Sequence, residues 1–193
     1  LKIRFRAKDS KEGININGKH KTEVRVSAPA IHTFRASSSG DIILKNGLQT
    51  KGEVSMKSSS SGDIEGENVV CDVLNAESSS SGDVSIKELK AETVNAAASS
   101  SGDVILSGVC RSVNISASSS GDVILGNGLR TTGQVVMNSS SSGDIVGNDV
   151  ACDELVAKAS SSGDVVLNQV KCTLLEADAS SSGDVEIKNL KAE

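Results

Sequence analysis

The chain has 193 residues, of which 37% are hydrophobic and only 1% aromatic, with two Phe, no Tyr and no Trp. Aromatic side chains bury the most area in an ordinary globular core, so this composition favours a narrow interior built from Val, Ile, Leu and Ala. No apolar run reaches the roughly 18 residues of a membrane-spanning helix, and no transmembrane segment is predicted.

The net charge of -5 is spread unevenly along the chain. Residues 1–35 carry nine Lys and Arg against three Asp and Glu, or +6, whereas residues 36–193 carry eleven against twenty-two, or -11. The basic end could meet an anionic surface or polymer, or it could be a solvated cap on an acidic body. The acidic remainder and the scarce aromatics argue against a nucleic acid as partner.

Residues 1–36 form the first predicted unit, in which apolar and polar side chains alternate as in strands with one buried face. We expect these strands to begin or cap the rest of the fold, because an open solenoid end is a bare sheet edge. The alternating apolar residues are Ile3, Phe5, Ala7, Ile14, Ile16, Val24, Val26, Phe34 and Ala36.

Residues 37–193 repeat one phrase eight times: Ser-Ser-Ser-Gly-Asp followed by Ile or Val. Successive copies are 22, 20, 20, 19, 22, 20 and 20 residues apart. A fixed period near 20 is typical of a solenoid, which winds one coil per repeat. The glycines of the eight copies are Gly40, Gly62, Gly82, Gly102, Gly121, Gly143, Gly163 and Gly183.

Within a 20-residue coil, counted from its Asp, apolar residues fall at positions 1 and 3, then 6 and 8, then 11, 13 and 15. The step of two is the period of a strand with one face buried, and each change of phase marks a corner. All eight residues at position 1 are Ile or Val, which favour strands. The pattern predicts an all-β fold, a three-sided parallel β-helix with about eight repeat coils. A right hand is expected for parallel crossovers.

A second level of order lies above the single coil. The four-coil block of residues 41–121 recurs as residues 122–193, at an offset of 81 residues. Each block begins with a 22-residue coil that carries an Asn-Gly turn, at Asn46-Gly47 and at Asn127-Gly128, where the two extra residues are expected. We interpret the chain as one domain lengthened by duplication.

The repeated phrase is predicted to form a corner of the coil. Gly would permit a positive φ, Asp would accept hydrogen bonds from nearby backbone amides, and the Ser two residues before the Gly would point inward and stack along the rod. The alternative is a cation-binding ladder, because stacked carboxylates repel one another and calcium could bridge them. The eight ladder residues are Asp41, Asp63, Asp83, Asp103, Asp122, Asp144, Asp164 and Asp184.

The four cysteines, Cys71, Cys110, Cys152 and Cys172, share nearly one phase of the repeat and form no Cys-x-x-Cys pair. A zinc or thioredoxin-like site therefore has no support. Cys152 and Cys172 should lie one coil apart, at ~4.8 Å if the coils pair as strands, which allows a disulfide. Four buried free thiols are the other interpretation.

The segment VRVSAPAIHTFRASSSGDI and the SSGDI or SSGDV phrases that follow resemble the bacterial family called putative auto-transporter adhesin, head GIN domain. The resemblance runs from about Glu23 to the end, with Ser in place of the first Gly of the family's GSGD-like phrase. It implies a β-helix and an exported protein of the bacterial cell surface, outer membrane or periplasm. It brings no catalytic residues with it.

Catalytic chemistry has little support in the sequence. Arg111 and Arg130 are the arginines beyond Arg35 that a polysaccharide lyase or hydrolase could pair with clustered Asp, and His20 and His32 lie near the N-terminal region. No GxSxG, HExxH or P-loop motif occurs. Ice binding by the serine hydroxyls is a further alternative, disfavoured because Thr is scarce. No catalytic, cofactor-binding or metal-binding residue is assigned, and no cofactor is expected.

The leading hypothesis is a non-enzymatic structural or adhesion module of the cell envelope whose rigid rod is presented to a surface protein or a glycan. The alternative is a carbohydrate-active β-helix enzyme. The sequence stops about nine residues into its last coil. Either a cap is missing from this sequence, or another chain covers the end in an end-to-end or edge oligomer.

Overall fold

A computed structural model describes residues 31–126 and 129–192. They form strands and turns, with no helix in the described part of the chain. The fourteen strands are β1 (Thr33–Ala36), β2 (Ile42–Leu44), β3 (Leu48–Gln49), β4 (Glu53–Ser58), β5 (Ile64–Glu67), β6 (Val69–Ser78), β7 (Val84–Ala98), β8 (Val104–Ala117), β9 (Val123–Leu125), β10 (Arg130–Thr131), β11 (Gln134–Ser139), β12 (Ile145–Ala159), β13 (Val165–Ala179) and β14 (Val185–Ala192).

Every strand pairs in parallel with the equivalent segment of the next coil. In β12 and β13, for example, Ile145 faces Val165 and Cys152 faces Cys172, twenty residues apart. Residues that share a position in the repeat therefore form columns along the rod. The all-β prediction is confirmed: the chain is a parallel β-solenoid of about eight turns with roughly 20 residues per coil. Its three sides and its right hand stay predictions.

The core is a stack of inward-facing aliphatic side chains. In β12, the buried residues are those at positions 1, 3, 6, 8, 11, 13 and 15, the phases that the sequence predicts. The position-1 residues are buried from Ile64 to Val165, whereas Ile42 and Val185 are only partly covered at the two ends. The expected register is therefore correct.

The change of phase after position 3 is made by local backbone irregularities. Asn68 and Glu88 adopt positive φ angles of 53° and 54° there, and the register shifts between Ile86 and Leu89. In the first 22-residue coil, Gly47 has a φ of 74° and donates its N–H to the Leu44 carbonyl, so the extra residues lie in the predicted turn. The matching turn at 127–128 lies outside the described residues.

The N-terminal unit is described only from residue 31 onwards. Phe34 and Ala36 are buried in β1, which pairs with β4, as their alternation predicts. The strands expected around Ile3, Ile14 and Val24 lie outside the described residues.

Candidate functional site

In the corner formed by the repeated phrase, the residue with a left-handed backbone is not the Gly that the sequence predicts. The Ser two positions before each Gly carries the positive φ, between 60° and 66° in all eight copies, and the corner glycines do not. This Ser turns its carbonyl along the rod, where it accepts an N–H from the next coil; Ser60 accepts from Ser81 at 2.7 Å. The parallel hydrogen bonds therefore continue through the corner. The left-handed serines are Ser38, Ser60, Ser80, Ser100, Ser119, Ser141, Ser161 and Ser181.

The corner Gly is required by lack of space. A Cβ added to Gly102 would lie 2.6 Å from the Gly82 carbonyl oxygen and would also collide with the Ser78 hydroxyl. Because the glycines of successive coils stack directly, the corners from Gly62 to Gly183 leave no room for a side chain. The prediction that Gly serves backbone freedom at this position is thus wrong.

The structure also corrects the prediction of which serine side chain points into the core. The left-handed Ser is exposed, and the inward residue is the Ser or Ala four positions before the Gly. Ser58, Ser78 and Ser139 are buried there, and each donates its hydroxyl proton to the Gly carbonyl of its own corner. The along-rod hydroxyl bonds come from the serine between these two, as in Ser79 to the Ser58 carbonyl at 3.4 Å. The sequence analysis assigned the inward side chain to the Ser two residues before the Gly, which is two residues too late. The alternation of inward and outward side chains ends at that residue because it is left-handed.

The aspartates form the predicted column and accept backbone amides. The Oδ1 atom of Asp83 accepts the N–H of Asp103 at 2.9 Å, and Asp103 accepts that of Asp122 at 3.0 Å. The same bond links each pair of neighbouring ladder residues from Asp41 to Asp184. Each Asp therefore joins its coil to the next.

Burial raises the pKa of Asp103 above its ordinary value of 3.8. The hydrogen bond from the Asp122 amide opposes this rise, while the charges of Asp122 and Asp83 add to it. At Asp103 the amide donor thus favours the ionised carboxylate, whereas burial and the two neighbouring charges disfavour it. Within the described residues, no group of three or more His, Cys, Asp or Glu is placed to hold a metal ion.

The four cysteines are free and buried. Burial raises the pKa of Cys71 to about 11 and those of Cys110 and Cys152 to about 12. Since the thiolate is the reactive form, these groups are poor nucleophiles at neutral pH. The interpretation as buried thiols is the one that the structure bears out.

Two concavities lie on the outer face of the third strand of the coils, beside the serine corner. One is bordered by Asn75, Asn95 and Asn114 and has Ala97 and Ser116 in it. The other is lined by Arg35, Lys57 and corner serines, and it shares Glu77 and Ala97 with the first. The two form one shallow groove along the rod.

An amide column follows this groove. Asn95 donates to the Asn75 side-chain oxygen at 2.7 Å, Asn114 donates to that of Asn95 at 3.1 Å, and Asn75 donates to Glu53 at 2.5 Å. The sequence prediction missed this column. Its signal was present, because Asn75 and Asn95 each stand twelve residues after the Asp of their coil and Asn114 stands eleven after, in the one 19-residue coil.

The residues considered for catalysis are not brought to this groove. Arg111 and Arg130 are exposed and line neither concavity, and the ladder aspartates are also absent from both. His32 is exposed and contacts the Glu53 carbonyl through Nδ1 at 3.1 Å. His20 lies outside the described residues.

Comparison with known proteins identifies a family. The family model described as "Putative auto-transporter adhesin, head GIN domain" matches residues 1–131 and again residues 124–193, so the match extends upstream of Glu23. No curated protein and no solved structure matches the chain. A search of the described residues for a helix long and apolar enough to cross a membrane finds none.

Proposed function

Since the chain belongs to the auto-transporter adhesin head GIN domain family, a family of surface or exported proteins by its description, we propose that it is a non-enzymatic adhesion module of the bacterial envelope. It acts at the cell surface, the outer membrane or the periplasm. Its rigid rod presents outward side chains to a surface protein or a glycan, and no nucleic acid takes part.

The observation that carries this proposal is the order of the outer surface. Outward residues of successive coils stand in register in columns, and side-chain hydrogen bonds such as Asn95 to Asn75 and Asn168 to Asn148 hold neighbouring members together. A surface that is fixed before binding loses little conformational entropy when a partner binds. This suits a molecule whose role is recognition.

Contact between copies of the chain is part of the same proposal. Light scattering over a range of protein concentrations measures this association.

The test of adhesion is binding of the fluorescently labelled protein to intact bacterial and host-cell surfaces and to a glycan array. We expect saturable binding and no cleavage of uronate polymers. Turnover of such a polymer that is lost in Arg130→Ala or Asp122→Asn would overturn the proposal in favour of the carbohydrate-active enzyme. Absence of saturable binding to every surface would also overturn it.

A further inference from the structure

The groove beside the serine corner follows one outward column through six coils. Each member is paired in register with the next, so the column is continuous. At ~4.8 Å per coil the groove is ~24 Å long. The column consists of Arg35, Lys57, Glu77, Ala97, Ser116 and Asn138.

The middle of the groove is lower than its ends because the side chains there are short. Ala97 and Ser116 stand between Glu77 on one side and Asn138 on the other. The charged groups lie toward the N-terminal end, where Lys57 and Glu77 pair at 2.6 Å. The low central part therefore carries no charged side chain in its column.

One wall of this central part consists of oriented carboxamides. A carboxamide has two N–H donors and an oxygen with two lone pairs. In Asn95 one N–H is bound to Asn75, and the oxygen accepts one N–H from Asn114. A second N–H and a second lone pair therefore remain for a ligand, in an orientation that the column has already fixed.

This chemistry fits a molecule that is elongated, uncharged and rich in hydroxyl groups. Hydroxyls both donate and accept, as the free amide positions require. The floor itself offers an apolar peptide segment only the small side chain of Ala97 beside Ser116. A continuous outward column of larger apolar side chains lies elsewhere, on the first strand of the coils, at Ile105, Ile124, Val146 and Val166. In the described part of the chain the one aromatic residue, Phe34, is buried, so no aromatic ring can stack on a sugar.

We propose that the groove binds a linear, uncharged glycan whose long axis is parallel to the rod, through Asn95 and Asn114 and across Ala97 and Ser116. This inference rests on the proposed adhesive function and names its ligand class and site. A single site without aromatic stacking binds weakly. Several rods on one surface would raise the overall affinity by avidity.

The experiment measures binding of neutral hexasaccharides (cellohexaose, maltohexaose, mannohexaose and xylohexaose) and of an alginate hexamer by calorimetry and on an array. The test variant Ala97→Gln with Ser116→Gln fills the floor with side chains that stay soluble. The matched control is Ile124→Thr with Val146→Thr on the outward apolar column. Thermal unfolding of each variant checks that the rod is intact.

We expect at least one neutral hexasaccharide to bind, the filled groove to weaken that binding at least tenfold, and the control to leave it unchanged. Asn114→Leu should weaken it as well. If no neutral glycan binds, or if the filled groove binds as well as the parent, the inference is wrong. If the parent protein still binds intact cell surfaces in that case, the proposed adhesive function holds although the glycan site is wrong. If the control variant loses this binding, the contact lies on the apolar column and the partner is a protein.

Discussion

At the corners from Gly62 to Gly183, a left-handed Ser and a Gly without space for a side chain stand two residues apart. A left-handed residue other than Gly costs about 1–2 kcal/mol. The corner hydrogen bonds, in which the Ser60 carbonyl accepts the Ser81 N–H and its equivalents do the same, offset that cost. In the repeated phrase, Ser therefore supplies the left-handed backbone conformation, and Gly allows the coils to stack closely.

Gly102→Ala should destabilise the protein by about 1–3 kcal/mol, because the added carbon overpacks a corner whose backbone cannot move independently. Urea unfolding measures the loss. Gly40→Ala is the matched control, since its nearest neighbour, the Ser37 carbonyl oxygen, would lie at an ordinary 3.7 Å. Equal losses in the two variants would contradict the steric role.

Asp103→Asn should make the protein more stable at pH 7. The amide oxygen can still accept the Asp122 N–H, whereas the partly buried charge and its repulsion from Asp83 and Asp122 are gone. The pKa of Asp103 is raised in the folded protein, so the folded state binds the proton more tightly, and the parent loses stability as the pH rises from about 3.8 through that raised pKa.

Denaturant unfolding of the parent and the Asn variant at several pH values checks this sign. The advantage of the variant should shrink as the pH is lowered toward 3.8 and vanish below it. A constant difference at all pH values would show that the charge of Asp103 is not responsible. Asp103→Ala, in contrast, leaves the Asp122 N–H without its acceptor and should be less stable than the Asn variant by about 1–3 kcal/mol.

At the scale of the strands, alternation was enough to place the core. Ile145, Leu155 and Ala157 are buried where a period of two puts them, because burial of one strand face leaves a regular trace in the sequence. The corner could not be placed the same way. A left-handed Ser leaves no compositional trace, and the collision that excludes a side chain at Gly102 involves Gly82, twenty residues earlier.

The candidate site was even harder to predict from the sequence than the corner. An outward column such as Asn75, Asn95 and Asn114 is visible only when coils of different length are superposed. The low central part of the groove depends on short side chains between longer ones: Ala97 and Ser116 lie between Glu77 and Asn138. Neither property is a motif in the linear chain.

Leu155→Ala should destabilise the protein by about 2–5 kcal/mol, because Leu155 in β12 is 0% exposed and covered by coils on both sides. Leu190→Ala is the comparison within the same aliphatic type, since Leu190 in β14 is 51% exposed. Its loss should stay below about 1 kcal/mol, in proportion to the smaller buried area. Thermal unfolding separates the two, and a larger loss in the Leu190 variant would mean that the last coil is covered in solution.

For the whole molecule, coils contact chiefly their immediate neighbours, so stability is a sum of coil and interface contributions, and the rod opens more readily near an end. The buried cysteines report this opening. Cys172 packs against β14, the last strand that the structure describes, whereas Cys110 lies between two further coils on each side.

Iodoacetamide labelling at pH 8 should therefore modify Cys172 at least tenfold faster than Cys110, because Cys110 must wait for a larger opening and its pKa is raised to about 12. Mass spectrometry of tryptic peptides gives the two rates. In guanidinium chloride all four thiols should react at similar rates. Equal slow rates in the native protein would indicate that the rod opens as one cooperative unit.

The 22-residue coil at residues 41–62 shows how the rod accommodates extra length. Leu48 still faces Val69, and Glu53 still faces Val73, although the turns at Gly47 and Gly52 make this coil longer than the one it stacks on. A Cβ placed on Gly52 would meet nothing within 4 Å. This edge is accordingly a natural grafting point, where an epitope, an affinity tag or a dye could be inserted and displayed while the underlying stack keeps its phase.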